Sequence, residues 1–169
     1  MRLLLVSLIF SLPIYFNIGA APRAIAHING SCSEDLTGVD PQTNISRAAA
    51  SLTTGNLLVV AISIHDDVSN NKTVSSIADT ASNTYVAETT IRVGNARTEL
   101  WYADVVTGNA SNVVTATISS STGVWVVCTA QFSGLATSSV KDAEATGGQA
   151  FGTSVVSGTF STDTADEVI

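Results

Sequence analysis

The chain has 169 residues, 12% of them charged and 45% hydrophobic, with a formal net charge of −7. That length suits one domain with a core of its own, and seven Lys and Arg spread along an acidic chain exclude an electrostatic surface for nucleic acid or anionic lipid. Ser, Thr, Ala, Val and Gly dominate, as in a sheet protein whose outer faces carry hydroxyl groups rather than ion pairs.

The first stretch reads as an address. Arg2 gives a positive start, Leu3 to Phe16 is an apolar run interrupted by Pro13, and Ala24-Ile25-Ala26 puts small residues where a signal peptidase reads them. Residues 1–26 are therefore expected to be a signal peptide, cleaved before His27, with Ala20 or Ala21 as alternative sites. The run is short for a membrane span, so the mature chain, residues 27–169, is expected to be a single secreted or cell-surface domain without a membrane segment. In an oxidising compartment Cys32 and Cys128 are candidates for a disulfide tying the N-terminal segment to a central strand. The competing reading is a small buried residue at Cys128 and a surface thiol at Cys32.

Turn residues recur along the mature chain every eight to twelve residues, the spacing of a β-sandwich. Ser46 to Leu52, with Ala48-Ala49-Ala50, is the one stretch with a helical tendency, about one turn. Thr53-Thr54-Gly55-Asn56 turns into a strand from Leu57 to His65 that is apolar on both faces. Short strands follow over 74–79 and 84–87, then 98–106, where Leu100 and Tyr102 oppose Glu99 and Trp101, and 113–118. Val124 to Phe132 is the central strand: Val124, Val126, Cys128, Ala130 and Phe132 lie on one face, Trp125, Val127, Thr129 and Gln131 on the other. Further short strands are expected over 140–143, 154–156 and 158–161. The fold class is all-β, an antiparallel two-sheet sandwich of jelly-roll or immunoglobulin-like type with about eight or nine short strands. Glu167-Val168-Ile169 begins a last strand that stops, with three readings open: the sequence is a fragment of a longer protein, the short edge is tolerated, or a segment from a neighbouring subunit fills it by strand addition, with the apolar N-terminal stretch as the natural donor strand.

Gly55-Asn56-Leu57-Leu58-Val59-Val60, Val74-Ser75-Ser76-Ile77-Ala78-Asp79 with Asn83-Thr84-Tyr85, Glu99-Leu100-Trp101-Tyr102-Ala103, Phe132-Ser133-Gly134-Leu135 and Ala165-Asp166-Glu167-Val168-Ile169 together carry a resemblance. Over about Leu52 to Ile169 the chain resembles a widespread, poorly characterised β-sandwich domain of secreted bacterial and archaeal proteins. The resemblance implies the fold and export, and a final strand that continues beyond Glu167 in similar sequences. It implies no catalytic residues, ligand or cofactor.

No constellation in the chain demands a particular chemistry. The histidines are His27 and His65, and Gly-x-Ser-x-Gly is absent, so no catalytic residue is assigned and the chain is read as not an enzyme. No metal site or cofactor is assigned either. Calcium is the one ion with candidate ligands, in Asp66 and Asp67 or in Asp163, Asp166 and Glu167, without an Asp-x-Asp-x-Asp-Gly loop to hold it. Lys72 or Lys141 is a candidate for an internal amide crosslink by analogy with sandwich adhesins. Sequons at Asn29, Asn44, Asn71 and Asn109 are candidate N-glycosylation sites of a glycoprotein. Trp101 and Trp125 are candidates for an exposed aromatic sugar platform. The expected function is a structural subunit or module of an extracellular assembly, a filament, pilus-like fibre or surface layer, self-associating through sheet edges. The alternative is a carbohydrate-binding or adhesive module of a larger secreted protein that takes glycans as partners.

Overall fold

The computed structural model describes residues 24–39, 41–48, 51–65, 72–104, 106–135 and 161. Among them eight strands form: β1 (Ala26–Asp35), β2 (Gln42–Ala48), β3 (Leu57–His65), β4 (Val74–Asp79), β5 (Val86–Val93), β6 (Ala96–Ala103), β7 (Val113–Thr122) and β8 (Trp125–Ser133). All pairings are antiparallel, in a five-stranded sheet of order β1-β8-β3-β6-β5 and a three-stranded sheet of order β2-β7-β4. The chain is an all-β, two-sheet antiparallel sandwich.

The pairings are nested: β1 with β8, β2 with β7, β3 with β6. A hairpin folded double and wrapped around itself produces this order, the winding of a jelly roll. Completing the winding would pair β4 with β5. Instead β5 turns straight into β6 at Gly94-Asn95, where Gly94 has φ 58° and Val93 faces Ala96, the first-position glycine that a type II′ turn requires. This tight hairpin keeps β5 in the five-stranded sheet, and β4 has β7 as its single partner strand among the described residues.

Alternation then fills the space between the sheets. Leu58, Val60, Ile62 and Ile64 of β3 meet Val114, Ala116 and Ile118 of β7, with Ile45 of β2 and Trp125 and Val127 of β8 closing the cluster. The passage from β7 to β8 crosses between sheets at Gly123, whose ideal Cβ would come within 2.9 Å of the Gly38 Cα. No other residue type lets the two loop backbones approach so closely.

The strands over 57–65, 74–79 and the core of 124–132 fall where periodicity places them, while others differ. β1 and β2 lack an apolar alternation to announce them, because they are edge strands contributing little to the core beyond Ile45. The helical tendency over 46–52 gives way to β2 through Ala48 and a bridge between Leu52 and Asn109: packing of Ile45 and Leu52 in the core outweighs alanine's weak helix preference. The expected 84–87 strand forms as β5, beginning two residues later and ending six residues later, because the Gly94 turn sets its register. The strand expectations over 140–143, 154–156 and 158–161, and the incomplete strand at Glu167, lie outside the described residues, save for Ser161, which is not in a strand.

Candidate functional site

Two outer faces remain after the core has taken its residues, and they differ in chemistry. On the three-stranded sheet, Asn44 and Ser46 of β2 lie opposite Thr117 and Thr115 of β7, with Ser76 and Ala78 of β4 on the other side. The Thr117 hydroxyl donates to Asn44 Oδ1 at 3.0 Å, and the Ser46 and Thr115 hydroxyls bond at 2.9 Å. This face is a hydroxyl-rich ladder that water solvates readily.

The outer face of the five-stranded sheet is apolar. Register aligns it in rows across the strands: Cys32, Cys128, Ala61, Leu100 and Thr89 form one, and Gly30, Ala130, Val59, Tyr102 and Val86 the next. Phe132 and Leu57 extend it at one end, where the His27 ring meets Phe132 edge-on at 5.4 Å. Val126, Ser63, Thr98 and Ile91 extend it at the other, with Glu34 at the rim. Leu100 is 36% and Val86 44% exposed. The two apolar faces of Leu57 to Ile64 thus have different fates: β7 and its neighbours cover one, and no described strand covers the other.

Three polar groups inside the sandwich are saturated by the chain itself. Asp79 Oδ1 accepts from the Ala81 and Asn83 amides at 3.1 and 2.9 Å, and Oδ2 accepts from Asn83 Nδ2, the Tyr85 hydroxyl and Asn112 Nδ2 at 2.8, 2.8 and 3.1 Å. Burial raises the Asp79 value, but these hydrogen bonds outweigh it and hold the carboxyl below the usual range. Burial, then the bond to Asp79 and its charge, push the Tyr85 hydroxyl well above its usual range. Buried Glu99 accepts from the Val74 amide at 3.0 Å, Arg97 Nε at 2.6 Å and Trp101 Nε1 at 3.2 Å. Fully buried Gln131 accepts from the Thr53 amide and Asn56 Nδ2 and donates to the Ser51 carbonyl. With every oxygen occupied by donors, these clusters are struts of the sandwich rather than proton-transfer or metal centres.

Cys32 and Cys128 are disulfide-bonded across β1 and β8. The platform reading is corrected for Trp125, which lies in the core. Trp125 is 8% exposed in the core, with Nε1 lacking a partner among the described residues. Trp101 packs against the same core with its indole N–H on Glu99. Inward-facing strand positions of β8 and β6 take the two rings, Trp125 buried and Trp101 partly buried against the core.

Of the sequons, Asn44 sits exposed on the hydroxyl ladder. Asn29 commits its amide to the Ser51 carbonyl at 3.2 Å, and Asn109 bonds Thr80 Oγ1 and the Ser111 amide. Asn71 lies outside the described residues, as do the calcium candidates Asp66, Asp67, Asp163, Asp166 and Glu167, and Lys141. His65 ends β3, exposed. Among the described residues no three His, Cys, Asp or Glu side chains gather to hold a metal ion. The apolar outer face is what sequence reasoning left unread as a site, although its signal was present in Val59, Ala61, Ala130 and Phe132.

No protein-family model, no curated protein and no solved structure matches this chain.

Proposed function

We propose that this protein is a non-enzymatic structural subunit or module of an extracellular assembly, such as a filament, pilus-like fibre or surface layer, built by self-association. The observation carrying this reading is the contrast between the two outer faces. One is dressed in hydroxyl groups that satisfy one another and water; the other presents Val59, Ala61, Ala130, Leu100 and Tyr102 in adjoining rows. Contiguous apolar surface of this kind marks contact with another macromolecule. The Cys32–Cys128 bridge supports an oxidising, extracellular setting. The carbohydrate-binding alternative draws on Trp101 and Trp125, and the burial of Trp125 in the core leaves it the weaker reading.

Negative-stain microscopy of material shed from the native cell surface, with mass spectrometry of its N-terminus, tests the proposal. Ordered assemblies containing this chain are the expected result. Dispersed single particles at every concentration would overturn it.

A further inference from the structure

The four edge strands each carry an irregularity in their pairing: between His27 and Asn29 in β1, Gln42 and Asn44 in β2, Val74 and Ser76 in β4, and Ala87 and Thr89 in β5. Breaks of this kind twist an edge and interrupt its ladder, which blunts pairing with another chain. β4, the edge left open by the unfinished winding, is further capped where Glu99 takes the Val74 amide. Edge-to-edge pairing is therefore discouraged at all four described edges.

The outer face of the five-stranded sheet has the opposite character. Fourteen Asp and Glu residues give the chain its negative balance, yet in the aligned rows of this face carboxylates stand at the rim, Glu34 on the edge strand β1 and Asp104 just past the end of β6. Charge that would oppose contact between two identical acidic chains is kept off its middle rows. Five strands about 4.8 Å apart and about 30 Å long give roughly 700 Å² of sheet plan. A standard interface takes about 800 Å² from each partner. From these observations, and resting on the structural-module reading above, we infer that the outer face of the five-stranded sheet docks on the same face of a second copy, through Val59, Ala61, Ala130, Leu100 and Tyr102.

A two-fold axis satisfies this contact without any other partner, because one patch meets itself. Ala61 lies on the third of five strands, in a middle row, so it stands close to the axis and faces its own equivalent. Packing is then sheet on sheet, with the disulfide of each copy at the flank of the contact.

Sedimentation of the full chain over a concentration series, for the wild type, Ala61→Glu, Ala61→Cys and Thr115→Glu, tests the inference. Thr115→Glu places the same charge on the hydroxyl ladder, and retention of the Cys32–Cys128 bridge with an unchanged far-ultraviolet spectrum certifies folding of each variant. The expected result is association weakened about 100-fold or more by Ala61→Glu, unchanged by Thr115→Glu, and a covalent dimer through Ala61→Cys under mild oxidation. Wild-type association that Ala61→Glu leaves intact would overturn the face contact while sparing the structural-module reading. A wild type that stays monomeric throughout overturns both, and a lowered melting temperature of Ala61→Glu in that case would assign the cover of this face to residues 136–169 of the same chain.

Discussion

Cys32 and Cys128 are directly opposed across β1 and β8, 4.0 Å apart at Cα, and their bridge lies on the outer face of one sheet rather than between the two sheets. It therefore fastens an edge strand to its neighbour. At a sequence separation of 96, the cysteines close a loop that spans nearly the whole sandwich. Cys32→Ser with Cys128→Ser is expected to lose about 4 kcal/mol of stability through the entropy regained by the unfolded chain. Urea unfolding of the double variant against the oxidised wild type measures it.

Asp79 ties the turn after β4 to β7 through Asn112 and to Tyr85 ahead of β5. A carboxyl held below its usual value by folding contributes stability that is present above the unfolded value, about 3.9, and is lost as pH falls through the folded value. Wild-type stability is thus expected to drop below about pH 4 more steeply than that of Asp79→Asn. At neutral pH Asp79→Asn is less stable by about 1–3 kcal/mol, since one acceptor oxygen becomes a donor facing donors. Thermal unfolding between pH 2.5 and 7, marks chosen to bracket that value at about one unit or more on either side, reads both effects.

Glu99 gathers three donors in a buried position and holds β4 over β6. Glu99→Ala leaves the Val74 amide, Arg97 and the Trp101 indole without their acceptor, and is expected to cost about 3–5 kcal/mol. Glu99→Gln, which keeps one acceptor oxygen, should cost less. Denaturant midpoints of the two variants separate the loss of the acceptor from the loss of charge.

Gly123 and Gly38 pass so closely that a methyl group on Gly123 meets backbone atoms of Gly38 at 2.9–3.2 Å. Backbone yields less readily than a side-chain tip, so Gly123→Ala is expected to destabilise by about 1–3 kcal/mol. Gly55→Ala separates sterics from backbone strain, because nothing lies within 4 Å of its Cβ although its φ is 86°.

The sheets were legible wherever one face of a strand is apolar. β3, β7 and β8 carry the core at every second residue, Leu58 to Ile64, Val114 to Ile118 and Trp125 with Val127, and a period of two is enough to find them. β1 was not legible: its inward positions are Asn29, Ser31, Ser33 and Asp35, and it belongs to the sheet through backbone pairing and a disulfide that spacing alone does not reveal. Inward and outward assignments of Trp101 and Trp125 could be separated from those of Tyr102 and Phe132 by alternation, yet which set faced the core depended on the side the second sheet took. The candidate face was hidden for the same reason. An apolar residue such as Val59 reads as core until the position of β2, β7 and β4 is known.

The nested pairing of strands also sets an order of folding. β5 and β6 are joined by two residues, β3 and β6 by the chain through β4 and β5, and Ala26 meets Ser133 only after everything between has closed. Forming the inner pairs first shortens each later loop, while direct closure of the outermost pair bears the full entropic cost. The roll is therefore expected to zip from the β5–β6 hairpin outward, slowly for its size because its partners are far apart in sequence. Oxidation of Cys32 with Cys128 then becomes a clock for the final step. Thiol trapping during refolding, with protection of β3 amides appearing before the disulfide, would read that sequence of events directly.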